Sequence, residues 1–383
     1  MSDWLKSRIR FDRNELSGAF GDIGTDFPLL VGMILVARLD VTSSLVLFGA
    51  MQIFTGLTYG IPMPAEPLKA MAVIVITQKI SGNVLYGGGL AIGILMLALT
   101  VTGLIDWLAR AVPKIVVRGI QLGLGLQLAQ LALKDYIPAD KIPGYVLAGL
   151  AFILTIALLG NRRFPPAFFV ILLGAAYGFI FKIHAGDLAH SLGFTLPHFH
   201  VPVWHDILTG LVVLAIPQLP LSLGNSVLAT RQVAEDFYPD RKFSVRQIST
   251  TYSLMNLVNP FFGGIPTCHG SGGMVGHYTF GGRTGGSVII YGSMYLAFGL
   301  FLSRGFTTAI ELFPKPVLGV ILLFEGLNLM GLSRDQASSR PDFLLVILTG
   351  LLCIGLPYGY VIGLVVGTAL AYLSRRQLTG LGK

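Results

Sequence analysis

Charge is what this sequence has least of. Only 12% of its 383 residues are Asp, Glu, Lys or Arg, while 53% are hydrophobic, and the mean hydropathy is +0.73. A soluble domain needs about twice that charge to cover its surface, so a soluble fold of this length is excluded. Cysteine is nearly absent too. Cys268 and Cys353 are the two present, which excludes a disulfide framework and a zinc site built on paired CxxC motifs. The opening segment, MSDWLKSRIRFDRNE, is basic but lacks an apolar core before a cleavage site, so it reads as a cytoplasmic interfacial helix and not as a signal peptide. No GxxxxGK[ST] phosphate loop occurs. The net charge of +8 is spread over short breaks between apolar runs, a pattern of membrane topology and not of a nucleic-acid-binding stripe.

What is abundant is apolar sequence interrupted by 48 glycines and 20 prolines, a combination that suits close helix contacts and broken helices lining a protected cavity. Apolar runs fall at 16–37, 42–60, 64–78, 86–109, 114–133, 143–160, 165–182, 207–230, 247–262, 267–281, 285–303, 316–332, 342–356 and 358–374. A crossing of about 30 Å of hydrocarbon takes roughly 20 residues, so these predict an all-α polytopic membrane protein with about 14 transmembrane segments. With both termini placed in the cytoplasm, 19 of the 27 Lys and Arg fall on that side and 7 on the other, with Lys69 inside a span. That bias sets the orientation. The expected organisation is a first half at 1–182, an external loop at 183–206 and a second half at 207–383, in the plasma or inner membrane of the cell. Each half holds seven spans, an odd number, so the halves would form an inverted repeat. Tyr59-Gly60-Ile61-Pro62 recurs as Gly263-Gly264-Ile265-Pro266 at the same place in each half.

Polar residues inside apolar runs mark the candidate site. Asp22 and Asp26 share one helix face with Thr25 close by, and the apolar run after Asp26 is too short to span. Either acid could instead cap a helix or pair with a base. Pro62, Pro64 and Pro67 predict an extended backbone followed by a helix from near Ala65, whose free amides at membrane depth would attract an anion. Lys69 adds a full charge there, and Glu66, three residues earlier, is either its ion-pair partner or a titrating group. In the second half, Thr267, Cys268, His269, Gly270 and Ser271 begin a matching short segment rich in hydroxyls and amides. Two opposed half-helices of this kind suit a tetrahedral oxyanion, which accepts many hydrogen bonds and needs compensating charge. Gln218, Ser222 and Asn225 fall on one face of the eighth span and complete the set. Cys268 with His269 has no third ligand, so no metal site and no cofactor are expected. The external histidines read as loop residues.

The segments GAFGDIGTDFPLL, GIPMPAEPLKAMAV, IPQLPLSLGNSVLAT and PTCHGSGGMVGHYTFGGRTG resemble signature segments of the molybdate transporter family, distant relatives of the SulP sulfate permeases. The resemblance runs over nearly the whole chain. It implies a seven-plus-seven inverted repeat shared with SulP and uracil permeases, a core domain moving against a gate domain, uptake of molybdate or sulfate, and a homodimer. Members of that family usually carry Gln where this chain has Glu66, which gives weight to proton symport through Asp22, Asp26 and Glu66. The cytoplasmic regulatory domain typical of SulP proteins is not expected. The resulting expectation is a proton-coupled oxyanion importer by alternating access. A sulfate permease, a nucleobase or organic-anion carrier of the same fold, and an anion channel are the alternatives. No nucleophile with an adjacent base supports a membrane enzyme.

Overall fold

The structure, a computed structural model, describes residues 8–105, 107, 111–160, 166–181, 193–302 and 313–380. The interfacial helix expected at the start, through residue 7, and the external loop through residue 192 lie outside the described residues. Among the described residues every one of the fourteen apolar intervals holds a helix. A short helix, α1 (Arg13–Gly18), leads into α2 (Ile23–Ala37) and α3 (Val41–Tyr59). Strand β1 (Ala65–Pro67) precedes α4 (Lys69–Gln78) and α5 (Gly82–Thr102). Then come α6 (Lys114–Leu131, extended to Tyr136 by a π-turn), α7 (Lys141–Leu158) and α8 (Pro166–Phe181). The second half runs α9 (Trp204–Phe237), α10 (Val245–Val258), β2 (Thr267–His269), α11 (Ser271–Thr279), α12 (Gly286–Phe301), α13 (Lys315–Gly331, extended to Gln336 by a 3-10 turn), α14 (Arg340–Gly355) and α15 (Gly359–Gly380). Six of these, α3, α5, α6, α7, α9 and α13, are long and apolar enough to cross a membrane by length and composition.

Local sequence explains the boundaries. Asp40 caps α3 by accepting from the Ser43 amide, and Ser81, Ser244 and Ser339 do the same for α5, α10 and α14. Gly60 ends α3 at φ 62°, and Gly263 ends the turn after α10 at φ 67°, the left-handed region that glycine enters without strain. Pro217 and Pro220 remove two amide donors from α9, and the helix widens into π-turns on either side, at Leu211–Ala215 and Ser222–Ala229.

Packing divides the helices into two groups. In the first, α3 lies along α12, and α5 lies along α10 and the start of α9, with the strand pair and α4 between them. In the second, α6 packs on α13 and α14, α14 on α15, and α7 and α8 on α13. Contacts of α2 with α13, and of α4 with α6, join the groups. Glycines permit the closest approaches: a Cβ on Gly49 would lie 2.5 Å from the Gly292 carbonyl of α12, and one on Gly125 would lie 2.5 Å from that of Gly326 on α13. A buried carboxylate pins the start of α1 to α12, since Glu15 accepts from the amides of Arg283, Thr284 and Ser287 at 3.1, 2.9 and 3.0 Å.

Candidate functional site

The site grows from the two proline-rich breaks. β1 and β2 pair antiparallel in the register Ala65 with His269, Glu66 with Cys268 and Pro67 with Thr267. Each strand is held by a side-chain amide from the helix before it. Gln52 of α3 accepts from the Ala65 amide at 2.9 Å and donates to its carbonyl at 2.6 Å. Asn256 of α10 treats Thr267 the same way, at 3.0 and 2.6 Å. Because the strands are antiparallel and each runs straight into a helix, α4 and α11 leave the pair in opposite directions with both N-termini beside it. At 10 and 9 residues they rise only about 15 Å, half the hydrocarbon thickness of a bilayer, so neither could cross one alone.

This geometry corrects two expectations. Helix α4 begins at Lys69 and not near Ala65, because Pro67 and the strand pairing keep 65–67 extended. The Ala65 amide therefore points to Gln52 and offers nothing to an anion. The first free amides of α4, Ala70 and Met71, are likewise taken, by the Oε1 of Gln218 at 2.9 and 3.3 Å. On α11 the acceptor is a charged one: Glu66 Oε1 receives the Gly273 amide at 2.8 Å. A Cβ at Gly270 would overlap the Glu66 carboxylate, and one at Gly273 would overlap Asp22 Oδ2 and meet Glu66 Oε1 at 2.5 Å. Glycine at both positions is what lets two acidic side chains reach the helix end.

Lys69 stands between two carboxylates, 3.8 Å from Glu66 Oε2 and 3.5 Å from Glu325 Oε1 on α13. Asp22 and Asp26 are buried against the same group. Among the described residues Asp22 Oδ2 and both carboxylate oxygens of Asp26 meet no donor. Asp22 faces Glu66, and Asp26 faces Asp22. Contacts of carboxyl with carboxyl become hydrogen bonds only when a proton lies between them, and four acids here share one ammonium.

The cavity at the centre is lined by Glu66, Lys69, Gln218, Asn225, Cys268, His269 and Gly270, together with Ser226 and Leu221 of α9 and Gln121 and Leu329 of the second helix group. It measures about 10 Å³, room for roughly one water. His269 is steered by its Nε2 contact with Thr251 Oγ1 at 2.6 Å, and Thr251 in turn meets the Tyr59 hydroxyl at 2.6 Å. Other expected residues stand back from the cavity. Thr267 is clamped by Asn256, Ser222 supports Gln218 from behind through contacts with Gln218 Nε2 and Tyr252 at 3.2 and 2.7 Å, and Ser271 starts α11 without lining the space. Thr25 opens on a separate cavity with Glu325 and Asn328. Glu325, Gln121, Gln52 and Asn256 were not anticipated. Glu325 carried a readable signal, a lone acid within the apolar run VILLFEGLNLM, whereas the three amides give no such sign because hydrogen-bonding Gln and Asn recur in membrane helices.

A helical membrane protein with broken helices meeting around a charged cavity is the architecture of a transporter. Among solved structures the chain is similar to the transmembrane domain of a cyanobacterial bicarbonate transporter, BicA (TM-score 0.65, 16% identity, 94% of this chain and 98% of that one), and to SLC26A9 (TM-score 0.69, 15% identity, 94% and 64%). At those identities the likeness establishes the fold. The model of the family described as "Molybdate transporter of MFS superfamily" matches residues 14–128 and 210–329. Two Arabidopsis thaliana proteins are similar over most of the chain: Molybdate transporter 2, 33% identical over 90% of this chain and 84% of its own length, and Molybdate transporter 1, 32% identical over 96% and 89%. The chain belongs to the molybdate transporter family.

Proposed function

We propose that the protein imports a tetrahedral oxyanion, molybdate before sulfate, by proton-coupled alternating access, with the anion held at the strand pair between Lys69 and the N-terminus of α11. One observation carries the reading. The Gly273 amide and the Lys69 ammonium are already arranged around an anionic oxygen group, the Glu66 carboxylate, and the named relatives are molybdate transporters. Glu66 then serves as a resident stand-in: an incoming dianion takes its place when a proton neutralises it. Asp22 and Asp26 accept or pass that proton. A tight cavity between the two helix groups supports a cycle in which the first group, as core, moves against the second, as gate.

Fourteen crossings arranged as seven plus seven, with both termini cytoplasmic, belong to this proposal. Support comes from paired relations that exchange under a two-fold: α3 with α12 against α10 with α5, α6 with α14 against α13 with α7, and Gln52 on Ala65 against Asn256 on Thr267. The strand register is itself symmetric about Glu66 and Cys268. A homodimer in the cell membrane is proposed on the family likeness.

The test is calorimetric titration of purified protein with molybdate, tungstate, sulfate and uracil, one pH unit either side of neutral. Molybdate is expected to bind most tightly, and more tightly at the lower pH, since protonation removes the competing Glu66 charge. Glu66→Gln should bind it with a much flatter pH dependence. Uracil binding without oxyanion binding would move the protein to the nucleobase carriers, and equal pH profiles in both proteins would remove Glu66 from coupling.

A further inference from the structure

An anion held by α4 and α11 does not require Glu325, yet this residue ties the site to the other helix group. It sits in the middle of α13, 6% exposed, and reaches across the boundary to Lys69 at 3.5 Å, closer than the 3.8 Å of Glu66 from the same chain segment. Its helix is set rigidly against α6, where a Cβ on Gly326 would lie 2.7 Å from the Gly125 carbonyl and one on Gly125 would lie 2.5 Å from the Gly326 carbonyl. Glu325 therefore reports the position of the whole second group. Its other side faces a cavity of about 180 Å³ with Thr25, Thr155 and Asn328.

We infer that Glu325 is a gate-side positioning residue that competes with the oxyanion for the Lys69 ammonium, so that anion binding unlatches α13 from α4. The inference rests on the reading of Lys69 as an oxyanion-binding group. Its physical basis is partner exchange. Removing one member of a buried ion pair strands the other charge, whereas exchanging one anionic partner for another keeps the ammonium compensated. A dianion arriving at Lys69 supplies that exchange and frees the second group to move.

The charged groups facing Glu325 are Lys69 of α4 and, further off, Asp26 of α2. From α7 and α8 come Thr155, Pro166 and Val170, and from α6 the backbone at Gly125. Lys114 and Arg118 of α6 are engaged by Asp335. Tyr136, after Lys134 and Asp135, packs at Gly319, six residues and about 9 Å along the axis from Glu325. Glu325 holds Lys69 against the anion, and an uncharged side chain at 325 fixes the high-affinity condition.

The experiment uses the full chain. Molybdate is titrated into wild type, E325Q and E325D one pH unit either side of neutral, and uptake driven by a proton gradient is measured in proteoliposomes. E325Q is expected to bind roughly 5-fold tighter than wild type at both pH values, with reduced gradient-driven uptake. E325D, whose carboxylate sits one methylene further from Lys69, should fall between. Wild-type affinity in E325Q overturns the inference alone, while absence of oxyanion binding by wild type overturns the anion-site reading and this inference with it. If E325Q does not fold, E325D decides: an affinity unchanged from wild type overturns the role.

Discussion

At the scale of single residues, the site depends on side chains that are absent as much as on those present. Gly270 and Gly273 leave the N-terminus of α11 open to Glu66 and Asp22, and any Cβ there occupies the space of a carboxylate. Gly272, between them in sequence, has no heavy atom within 4 Å of the place a Cβ would take. The two alanine substitutions should therefore separate. Gly270→Ala is expected to reduce molybdate uptake at least about 10-fold, because displacing Glu66 costs over 1 kcal/mol of packing and hydrogen bonding. Gly272→Ala should remain within about 2-fold of wild type, as open positions change stability by under 0.5 kcal/mol. Uptake of labelled molybdate into vesicles measures both, and equal loss in the two variants would contradict the carboxylate contacts.

At the scale of elements, two three-residue strands hold the site in place, and neither could persist alone. Hydrogen bonding from Gln52 and Asn256 satisfies the outward backbone groups of Ala65 and Thr267, groups that would otherwise be buried without partners. Gln52→Leu or Asn256→Leu keeps the approximate volume and strands one amide and one carbonyl. Each is expected to destabilise the protein by about 2 to 6 kcal/mol, at about 1 to 3 for each orphaned group. Thermal unfolding in detergent would show it as a clear fall in midpoint, and a midpoint equal to wild type would mean the strand is held by other contacts. The proline pattern made an extended break legible beforehand. Its length was not, because strand pairing between residues some two hundred apart, and not local propensity, set the start of α4 at Lys69.

At the scale of the whole molecule, the two helix groups meet at Lys69 and Glu325, and topology decides which side each cavity opens to. An even number of crossings requires both termini on one face. Single cysteines introduced at Asn14 and Gln377, in a background with Cys268 and Cys353 replaced by serine, should react with an impermeant thiol reagent from the cytoplasmic side. One at Phe199, 69% exposed, should react from the opposite side. Labelling of the two end positions from different faces would remove the fourteen-crossing arrangement.

The sequence by itself determined that this is a polytopic helical membrane protein, placed a helix in every apolar interval, and singled out Asp22, Asp26, Glu66, Lys69 and the 267–271 segment, since apolar length and misplaced polarity are local properties of a chain in a bilayer. Only the tertiary structure decided which polar groups are spent on one another. Ala65 and Thr267 are taken by amides from neighbouring helices, Gln218 caps α4, Glu66 caps α11, and Lys69 is shared with Glu325 from a helix more than 250 residues away. Hydrogen bonds and ion pairs between distant segments have no period and no fixed spacing, so they become readable only once the backbone has brought their partners together.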